Sequence, residues 1–307
     1  MANENIIVGD TFKVGYRFQR YWDTSMAAAF FCCELGAGLF MLSQYFGFKL
    51  GMLVGLVFAG VGKPYFHLAH MGVPSKAWRA MLRPDRSWIS RGLIAIMLFV
   101  GAGVAYLLQL EYGLLTAIFG ETLGSFFTEL ARILAFVAGV VVMAYQGFAM
   151  AHSSAFALWN TGLMPISSVA YAITTGLAAL LVLGWDGFLA QQPGVRQLLV
   201  NFTMLMLLVD LAIIMSLLHG AYHGTTGGRQ SVGLLVKGTY SQAFIGLVMG
   251  VGIAVPALLL WVGGTSYLLV VLAALAILAG FFTYRVLVFK AALYEPILSF
   301  KPRTASL

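Results

Sequence analysis

The sequence predicts an all-α integral membrane protein with eight transmembrane helices arranged in two four-helix bundles. Of its 307 residues, 61% are hydrophobic and only 9% are charged, and so few polar residues cannot cover a water-exposed surface. Eight apolar runs of about 20 to 26 residues are each long enough to cross ~30 Å of hydrocarbon. We expect helices for these runs, because a helix satisfies its own backbone hydrogen bonds inside the bilayer.

The eight predicted spans leave no segment of domain size outside the bilayer. A polar N-terminal segment, 1–25, precedes the membrane domain, 26–290, and a C-terminal tail, 291–307, follows it. The first bundle is predicted over about 26–150 and the second over about 164–290. The spans in chain order are 26–47, 50–71, 88–110, 128–150, 164–189, 198–222, 238–262 and 266–290.

Glycine clusters in several of these spans predict close contact between helices. Small residues let membrane helices approach one another. Span 1 carries Gly36 and Gly38, and similar clusters occur in spans 2, 3 and 7. We interpret them as packing residues, because a glycine pair inside an apolar helix does not form a phosphate-binding loop.

Cations are distributed unequally between the two membrane faces. An even number of spans places both termini on one face, together with the connections after spans 2, 4 and 6. The cations assigned to that face are Lys13, Arg17, Arg20, Lys76, Arg79, Arg83, Arg86, Arg91, Arg229, Lys237, Arg285, Lys290, Lys301 and Arg303. The other face holds Lys49, Arg132 and Arg196. The positive-inside rule therefore predicts an inner (cytoplasmic) membrane protein whose basic face and both termini are cytoplasmic.

Many of these cations lie in one short loop, 72–91. It carries Lys76, Arg79, Arg83, Arg86 and Arg91. Setting the orientation of the chain is one explanation for them. Docking of a partner subunit through its carboxylates is the other, because five cations exceed what orientation requires.

Two charged side chains are predicted inside the first two spans at a similar depth. At 1.5 Å per residue, Glu34 lies roughly 12–13 Å from the basic face on span 1, and Lys63 lies roughly 12 Å from it on span 2. Charged groups inside a bilayer normally face a cavity, a partner or a ligand. Since consecutive spans are antiparallel, these depths predict a buried ion pair between Glu34 and Lys63.

Histidines cluster where the even-numbered spans reach the basic face. On span 2, Lys63, His67 and His70 follow at i, i+4 and i+7 and therefore share one stripe. On span 4, Tyr145 and His152 are seven residues apart and share another stripe. The two stripes predict a set of protonatable groups at one end of the membrane domain.

Span 6 adds His219 and His223 at the same end, and Asp210 near its middle on a different face. Each histidine taken alone is explained as an interfacial residue that water satisfies. Taken together, protonatable groups one third of the way into the bilayer suit a quinone headgroup. Such a headgroup needs hydrogen-bond donors at its carbonyl oxygens and groups that exchange protons during its oxidation or reduction.

Three other functions compete with quinone chemistry. A haem b between spans 2 and 6 would take His67 or His70 and His219 or His223 as axial ligands. A metal site at the span 6 pair lacks a nearby carboxylate or cysteine. A proton-coupled secondary transporter would use the charged residues within the spans, but the prolines do not fall at matching positions in two halves.

The two cysteines, Cys32 and Cys33, are adjacent within span 1. Two thiols cannot hold an iron–sulfur cluster, and adjacent cysteines rarely pair with each other. We expect them to be small packing residues, and we expect no metal site in this chain. Any iron–sulfur chemistry must then come from another subunit.

Several stretches together resemble the NrfD/polysulfide reductase family of membrane subunits. Span 1 carries the glycine-rich stretch 27–40, and span 2 contains the pair Lys63–Pro64. The basic stretch 83–92 follows, span 4 closes with Tyr-Gln-Gly-Phe at 145–148, and Leu-Trp-Asn-Thr comes after it at 158–161. The resemblance covers most of residues 25–180. In the second half of the chain, only the general pattern of the sequence is similar.

The resemblance implies a haem-free subunit of eight helices that exchanges electrons between menaquinol or ubiquinol and a docked iron–sulfur subunit. That partner is a four-cluster, ferredoxin-like protein, which serves a molybdopterin catalytic subunit containing molybdenum or tungsten. The chain would belong to a quinone-dependent oxidoreductase complex of anaerobic respiration and would have no activity on its own. Some family members dock their partners in the periplasm, so either membrane face remains possible for docking.

Residue by residue, the resemblance gives a quinone pocket near the basic face. Its predicted members are Tyr145, Lys63, His67, His70, Trp22 and Asp23. Tyr145 and either His67 or His70 would hydrogen-bond the quinone oxygens. Proton transfer is assigned to Lys63, to His152 and to Glu34, whose role is inferred from its depth alone.

Overall fold

The computed structural model describes residues 17–294, which are helical apart from their connections and two isolated β-bridges. Predictions about the chain before and after this range, including those for Lys13, Lys301 and Arg303, lie outside the described residues. The helices are α1 (Thr24–Phe46), α2 (Lys49–Val57), α3 (Lys63–His70), α4 (Trp88–Tyr112), α5 (Leu114–Ala151), α6 (Leu163–Gly184), α7 (Pro193–Gly224), α8 (Thr226–Val236), α9 (Val255–Gly263) and α10 (Tyr267–Lys290). A 3₁₀ segment, Pro74–Met81, lies in the loop before α4.

The eight predicted spans are confirmed within the described residues, and so is the all-α membrane class. Six spans are single helices: α1, α4, α5, α6, α7 and α10. The second span, Lys49–His70, joins α2 and α3, and the seventh, Ala243–Gly263, ends in α9. The grouping of the spans into two four-helix bundles stays a prediction.

Both composite spans contain a π-helical segment just before a proline. Phe58–Gly62 precedes Pro64, and Ala243–Ala254 precedes Pro256. Proline lacks a backbone N–H and its ring crowds the carbonyl one turn earlier, so a regular helix cannot continue unchanged. The wider turns of the π-helix make room for the proline ring. The other backbone N–H and C=O groups of the span still form hydrogen bonds within the helix, as the membrane requires.

The fourth span begins earlier than predicted, at Leu114 instead of residue 128. The side-chain carbonyl of Gln109 accepts hydrogen bonds from the N–H groups of Leu115 (2.7 Å) and Thr116 (3.1 Å), which caps the new helix. Gly120 then adopts φ +77°, and the helix kinks there. The connection expected at 111–127 is therefore mostly helical, because a side-chain cap and a left-handed glycine start and bend the helix.

Helix α1 is the most buried span and packs against α2, α3, α5, α6 and α10. Its glycines make this possible. Gly36 faces the backbone of Gly55 on α2, and Gly38 faces the backbone of Ala172 and Gly176 on α6. The predicted role of Gly36 and Gly38 in close packing is thereby confirmed.

Replacing Gly38 by valine should disrupt the contact between α1 and α6. A Cβ at this position would overlap the Ala172 carbonyl, which belongs to the backbone and cannot rotate away. Overpacking of this kind costs about 3 kcal/mol. We expect a clear loss of folded protein in a detergent thermal-stability assay. Gly101→Val on α4 is the matched control, because no atom lies within 4 Å of its added Cβ; equal losses in both variants would contradict the interpretation.

Candidate functional site

Lys63 is the centre of the candidate site. Its side chain is buried, and its Nζ lies 3.5 Å from His67 Nδ1. The ammonium also lies 5.7 Å from the ring centroid of Phe30 and 5.9 Å from that of Tyr145. Over residues 17–294, no carboxylate forms an ion pair with Lys63. Aromatic ring faces and an imidazole therefore surround a buried basic side chain that has no carboxylate partner within residues 17–294.

Tyr145 is buried on α5 and faces the junction of α1, α3 and α4. Its ring fills the space beside Gly92, where any Cβ would overlap it. The side-chain amide of Gln146 donates to the Tyr145 hydroxyl oxygen at 3.5 Å, a long bond. The absence of a side chain at Gly92 thus lets the tyrosine reach the Lys63 ammonium.

The predicted ion pair between Glu34 and Lys63 is wrong. Glu34 pairs with Arg285 of α10, and both side chains are buried. The same guanidinium lies 3.5 Å from Ser168 Oγ and 3.7 Å from Met150 Sδ. Glu34 therefore has a fixed partner from the opposite end of the sequence.

The error has a geometric cause. Depth arithmetic places residues along the membrane normal but says nothing about which side of a helix they occupy. Lys63 faces the side of α1 that carries Cys32 and Cys33, whereas Glu34 points toward α6 and α10. Arg285, counted among the cations of the basic face, lies five residues before the end of α10 at Lys290 and therefore roughly 7.5 Å deeper.

Near the surface, the structure brings Asp23 and His70 together. Asp23 caps α1, where its carboxylate accepts hydrogen bonds from the N–H groups of Ser25 (2.9 Å) and Met26 (3.1 Å), and His70 Nδ1 lies 3.1 Å from Asp23 Oδ1. Desolvation raises the pKa of the Asp23 carboxyl, but the Met26 hydrogen bond and the His70 contact together lower it below its usual value. The pair is partly exposed and lies one turn of α3 beyond His67.

Trp22 adjoins this group through Phe30, whose ring lies 5.3 Å from the Trp22 ring and 5.7 Å from Lys63 Nζ, whereas His152 lies apart from it. Trp22 belongs to an aromatic cluster, in which its ring stacks on Trp159 (5.1 Å between centroids) and meets Phe289 (5.2 Å). His152 is exposed after the end of α5 and has no hydrogen bond or ion pair with Lys63 or Glu34 in the described chain. The sequence stripe of Tyr145 and His152 therefore does not become one cluster of contacts.

The histidines of α7 are exposed near its C-terminal end, where the rings of His219 and His223 are 4.6 Å apart. Within residues 17–294, no group of three or more His, Cys, Asp or Glu side chains could hold a metal ion. Cys32 and Cys33 are buried free thiols, as expected for packing residues.

The basic loop presents an exposed surface beside the site. Lys76, Arg79, Arg83 and Arg86 are exposed, and so are the apolar side chains of Trp78 and Leu82. Ser90 Oγ donates to the Ala80 carbonyl at 2.5 Å and ties the 3₁₀ segment to α4.

Arg91 differs from the other cations of this loop. Its guanidinium donates to the carbonyls of Pro84 (2.8 Å) and Asp85 (3.0 Å) and lies over the Trp88 ring. Arg91 therefore holds the backbone of the loop, and its predicted role in docking a partner stays a prediction. Lys76, Arg79 and Arg83 form no ion pair within residues 17–294, whereas exposed Arg86 lies 3.2 Å from the Asp85 carboxylate.

Comparison with known proteins identifies the family. No curated protein matches the chain. The family model described as polysulphide reductase, NrfD, matches residues 15–295, which is most of the chain. This family consists of multi-pass membrane subunits of quinone-linked oxidoreductase complexes. The eight apolar helices and this match together show that the chain belongs to the NrfD family.

Proposed function

We propose that this protein is the quinone-reactive membrane subunit of a molybdenum or tungsten oxidoreductase complex. It would pass electrons between menaquinol or ubiquinol and a docked four-cluster iron–sulfur subunit. The quinone headgroup would lie against Tyr145, Lys63 and His67. Family membership supports the role as a membrane subunit of a quinone-linked oxidoreductase complex. The contacts of Lys63 with His67 support the position of the quinone pocket.

The observation that carries this proposal is the buried amine of Lys63, which has no carboxylate partner within residues 17–294. A buried cation without a carboxylate is costly inside a membrane. It becomes favourable when a group that acquires negative charge binds beside it, as a quinone oxygen does when the ring accepts an electron. Tyr145 supplies a hydroxyl at the same place, and His67 supplies an imidazole that can exchange a proton.

A proton route to water begins at the same residues. Lys63 contacts His67, and His70 follows one turn later on α3 and contacts Asp23 at the surface. We assign His67 and Lys63 to the pocket and the pair of His70 and Asp23 to exchange with water. Glu34 is less suited to this route than expected, since Arg285 holds it as an ion pair.

Helix placement favours the quinone over haem b. The haem alternative needs one histidine from α3 and one from α7 on facing helices. Helix α3 packs against α1 and its neighbours in sequence, whereas α7 packs against α6, α8 and α9. The absorbance spectrum of the purified complex should therefore lack a b-type haem band that disappears with His67→Ala; such a loss would favour the haem.

The quinone pocket is tested by Tyr145→Phe. Removing the hydroxyl deletes one hydrogen bond to the quinone and keeps the ring beside Gly92. We expect about tenfold lower quinol turnover, which corresponds to a loss of about 1.4 kcal/mol of transition-state stabilisation. His67→Ala should give at least the same loss. Tyr106→Phe on α4 is the control and should leave turnover unchanged. Unchanged turnover in Tyr145→Phe, with the complex assembled, would remove this tyrosine from the pocket.

The exposed basic loop is the proposed docking surface for the iron–sulfur subunit. Its cations, Lys76, Arg79, Arg83 and Arg86, surround exposed Trp78, so the surface combines charge with an aromatic anchor. The loop also lies directly before α4, whose Gly92 packs against Tyr145. A docked cluster would therefore lie on the same side of the membrane as the quinone headgroup.

Charge reversal tests this docking surface. We expect the triple variant Arg79→Glu, Arg83→Glu, Arg86→Glu to lose the iron–sulfur subunit during affinity purification of the complex, because each repulsive contact weakens association. Lys237→Glu is the matched control, since Lys237 is exposed on the same face but outside the loop. Retention of the partner by the triple variant would contradict the assignment.

A further inference from the structure

A second buried polar cluster lies among α6, α7 and α10, away from Lys63. Its centre is Asp210, which is completely buried near the middle of α7. At 1.5 Å per residue it lies roughly 21 Å from the end of that helix at Gly224. This carboxyl group lies outside the contacts of Lys63, and a buried ionisable side chain at membrane depth is costly unless it has a function.

The hydrogen bonds of Thr174 indicate that Asp210 carries a proton. Thr174 Oγ1 lies 2.5 Å from Asp210 Oδ2 and 3.0 Å from the Ala170 carbonyl oxygen. A hydroxyl group has only one proton and can donate to only one of these two acceptors. Both contacts are satisfied when Thr174 donates to the Ala170 carbonyl and a protonated Asp210 donates to Thr174 Oγ1.

The surroundings of Asp210 contain no counter-charge. No Lys, Arg or His of residues 17–294 forms an ion pair with it, and Arg285, whose guanidinium lies over the Tyr171 ring, is paired with Glu34. Its other oxygen, Oδ1, is buried and has no hydrogen-bond partner among the described residues. An ionised Asp210 would have one hydroxyl neighbour at Oδ2 and no hydrogen-bond partner at Oδ1 among the described residues. The neutral acid is therefore the favoured form.

The titratable side chains nearest to Asp210 are two tyrosines. Tyr171 of α6 and Tyr284 of α10 are buried, their ring centroids are 5.2 Å apart, and both interact electrostatically with Asp210. The Tyr171 hydroxyl is also buried and has Tyr284 as its neighbouring hydroxyl partner. A pair of buried tyrosine hydroxyls and a carboxyl oxygen without a hydrogen-bond partner among residues 17–294 therefore belong to the same cluster.

This region continues toward the quinone pocket. The guanidinium of Arg285 lies over the rings of Tyr171 (5.7 Å) and Phe30 (6.0 Å), and the Phe30 ring in turn lies 5.7 Å from Lys63 Nζ. Arg285 also holds Glu34, the residue that follows Cys33 on α1. A continuous series of charged and aromatic groups thus joins the middle of the membrane to the candidate site.

We propose that Asp210 is a buried proton-binding site, which holds one proton through Thr174 and responds electrostatically to charge in the quinone pocket. The ligand is a proton and not a metal cation. The response to the pocket rests on the proposed function, whereas the bound proton does not. The site is defined by Asp210, Thr174, Tyr171 and Tyr284.

Infrared spectroscopy of the purified complex tests the bound proton. The difference spectrum between the wild type and Asp210→Asn should contain one carboxylic acid C=O band that shifts in D₂O and persists at neutral and mildly alkaline pH. Glu34→Gln is the control and should show no such band, because Glu34 is an ionised partner of Arg285. Absence of the band in the Asp210 difference spectrum would overturn the proposal.

Thr174 variants provide a second test that does not depend on the assembly of Asp210→Asn. Thr174→Val removes the acceptor of the proposed hydrogen bond and should shift the C=O band to higher frequency, whereas Thr174→Ser should leave it in place. An identical band in the two variants would contradict the assignment. A band that appears only after Na⁺ is removed from the buffer would make this a sodium site and would also overturn the proposal.

Electrochemical reduction of the quinone separates this inference from the proposed function. In the wild type, reduction should shift the Asp210 band, and Tyr145→Phe or Lys63→Met should weaken that shift while the band itself remains. A band that remains but never shifts would leave the bound proton intact and remove its coupling to the pocket. Loss of quinol turnover in pocket variants with an unchanged Asp210 band would support the proposed function alone.

Discussion

Arg285→Met should abolish stable assembly of the protein. The substitution leaves Glu34 buried without its cation, and breaking a buried ion pair by removing one partner costs about 3–5 kcal/mol. That loss is a large fraction of the stability of a typical domain. We expect little folded protein after detergent extraction and a strongly lowered thermal midpoint.

The double variant Glu34→Met, Arg285→Met should recover most of this stability. Replacing both members of a buried ion pair by apolar residues of similar volume is often neutral or stabilising by about 1–4 kcal/mol. The neighbouring Met150 and Phe30 provide a partly apolar environment for the new side chains. Thermal unfolding of the single and double variants, compared as a double-mutant cycle, measures the coupling between the two residues. Additive losses in the double variant would show that the two side chains do not act as a pair.

The same double variant decides the role of Glu34. If Glu34 only balances the charge of Arg285, the recovered protein should retain quinol turnover. If Glu34 transfers protons, turnover should collapse although assembly is restored. The ion pair favours the first outcome, because it keeps the carboxylate ionised and occupied by a single strong partner.

Lys63→Met should reduce quinol turnover by about 100-fold or more while the complex still assembles. Removing a positioned charge or proton-transfer group at a reacting centre costs about 10² to 10⁴ in rate. Assembly should survive, because Lys63 has no carboxylate partner within residues 17–294 that would be left unpaired. A methionine also retains most of the contact with Phe30 and Tyr145.

Two comparisons make this prediction specific. Lys63→Arg retains the positive charge and should recover part of the turnover, which a purely steric effect would not produce. Lys49→Met is the matched control, since Lys49 lies at the other end of the second span, where it pairs with Glu111 (3.3 Å). Turnover of Lys63→Met within a few fold of the wild type would remove the ammonium from the quinone site.

The sequence predicted the spans well where composition controls the structure. An apolar run of 20 residues has a single low-energy form in a bilayer, so the existence and order of the eight helices follow from hydropathy. The boundaries were less certain where backbone details decide them. The early start of α5 depends on the cap from Gln109, and its kink depends on the positive φ of Gly120.

The candidate site was partly predictable for the same reason. Helical spacing placed Lys63, His67 and His70 on one stripe, and the contacts of Lys63 with His67 and of His70 with Asp23 follow from it. Spacing along one helix could not place His152 or Trp22 relative to that stripe, because their positions depend on how separate segments pack.

The sequence by itself determined that this chain spans a membrane eight times, that its cations concentrate at one face and that α3 carries a protonatable stripe. Only the tertiary structure decided which charges meet. Depth along the membrane normal follows from counting residues at 1.5 Å each, whereas the direction of a side chain around its helix depends on the contacts between helices. The glycine contacts of α1 turn Glu34 toward Arg285, 251 residues away in sequence, and leave Lys63 unpaired beside Tyr145.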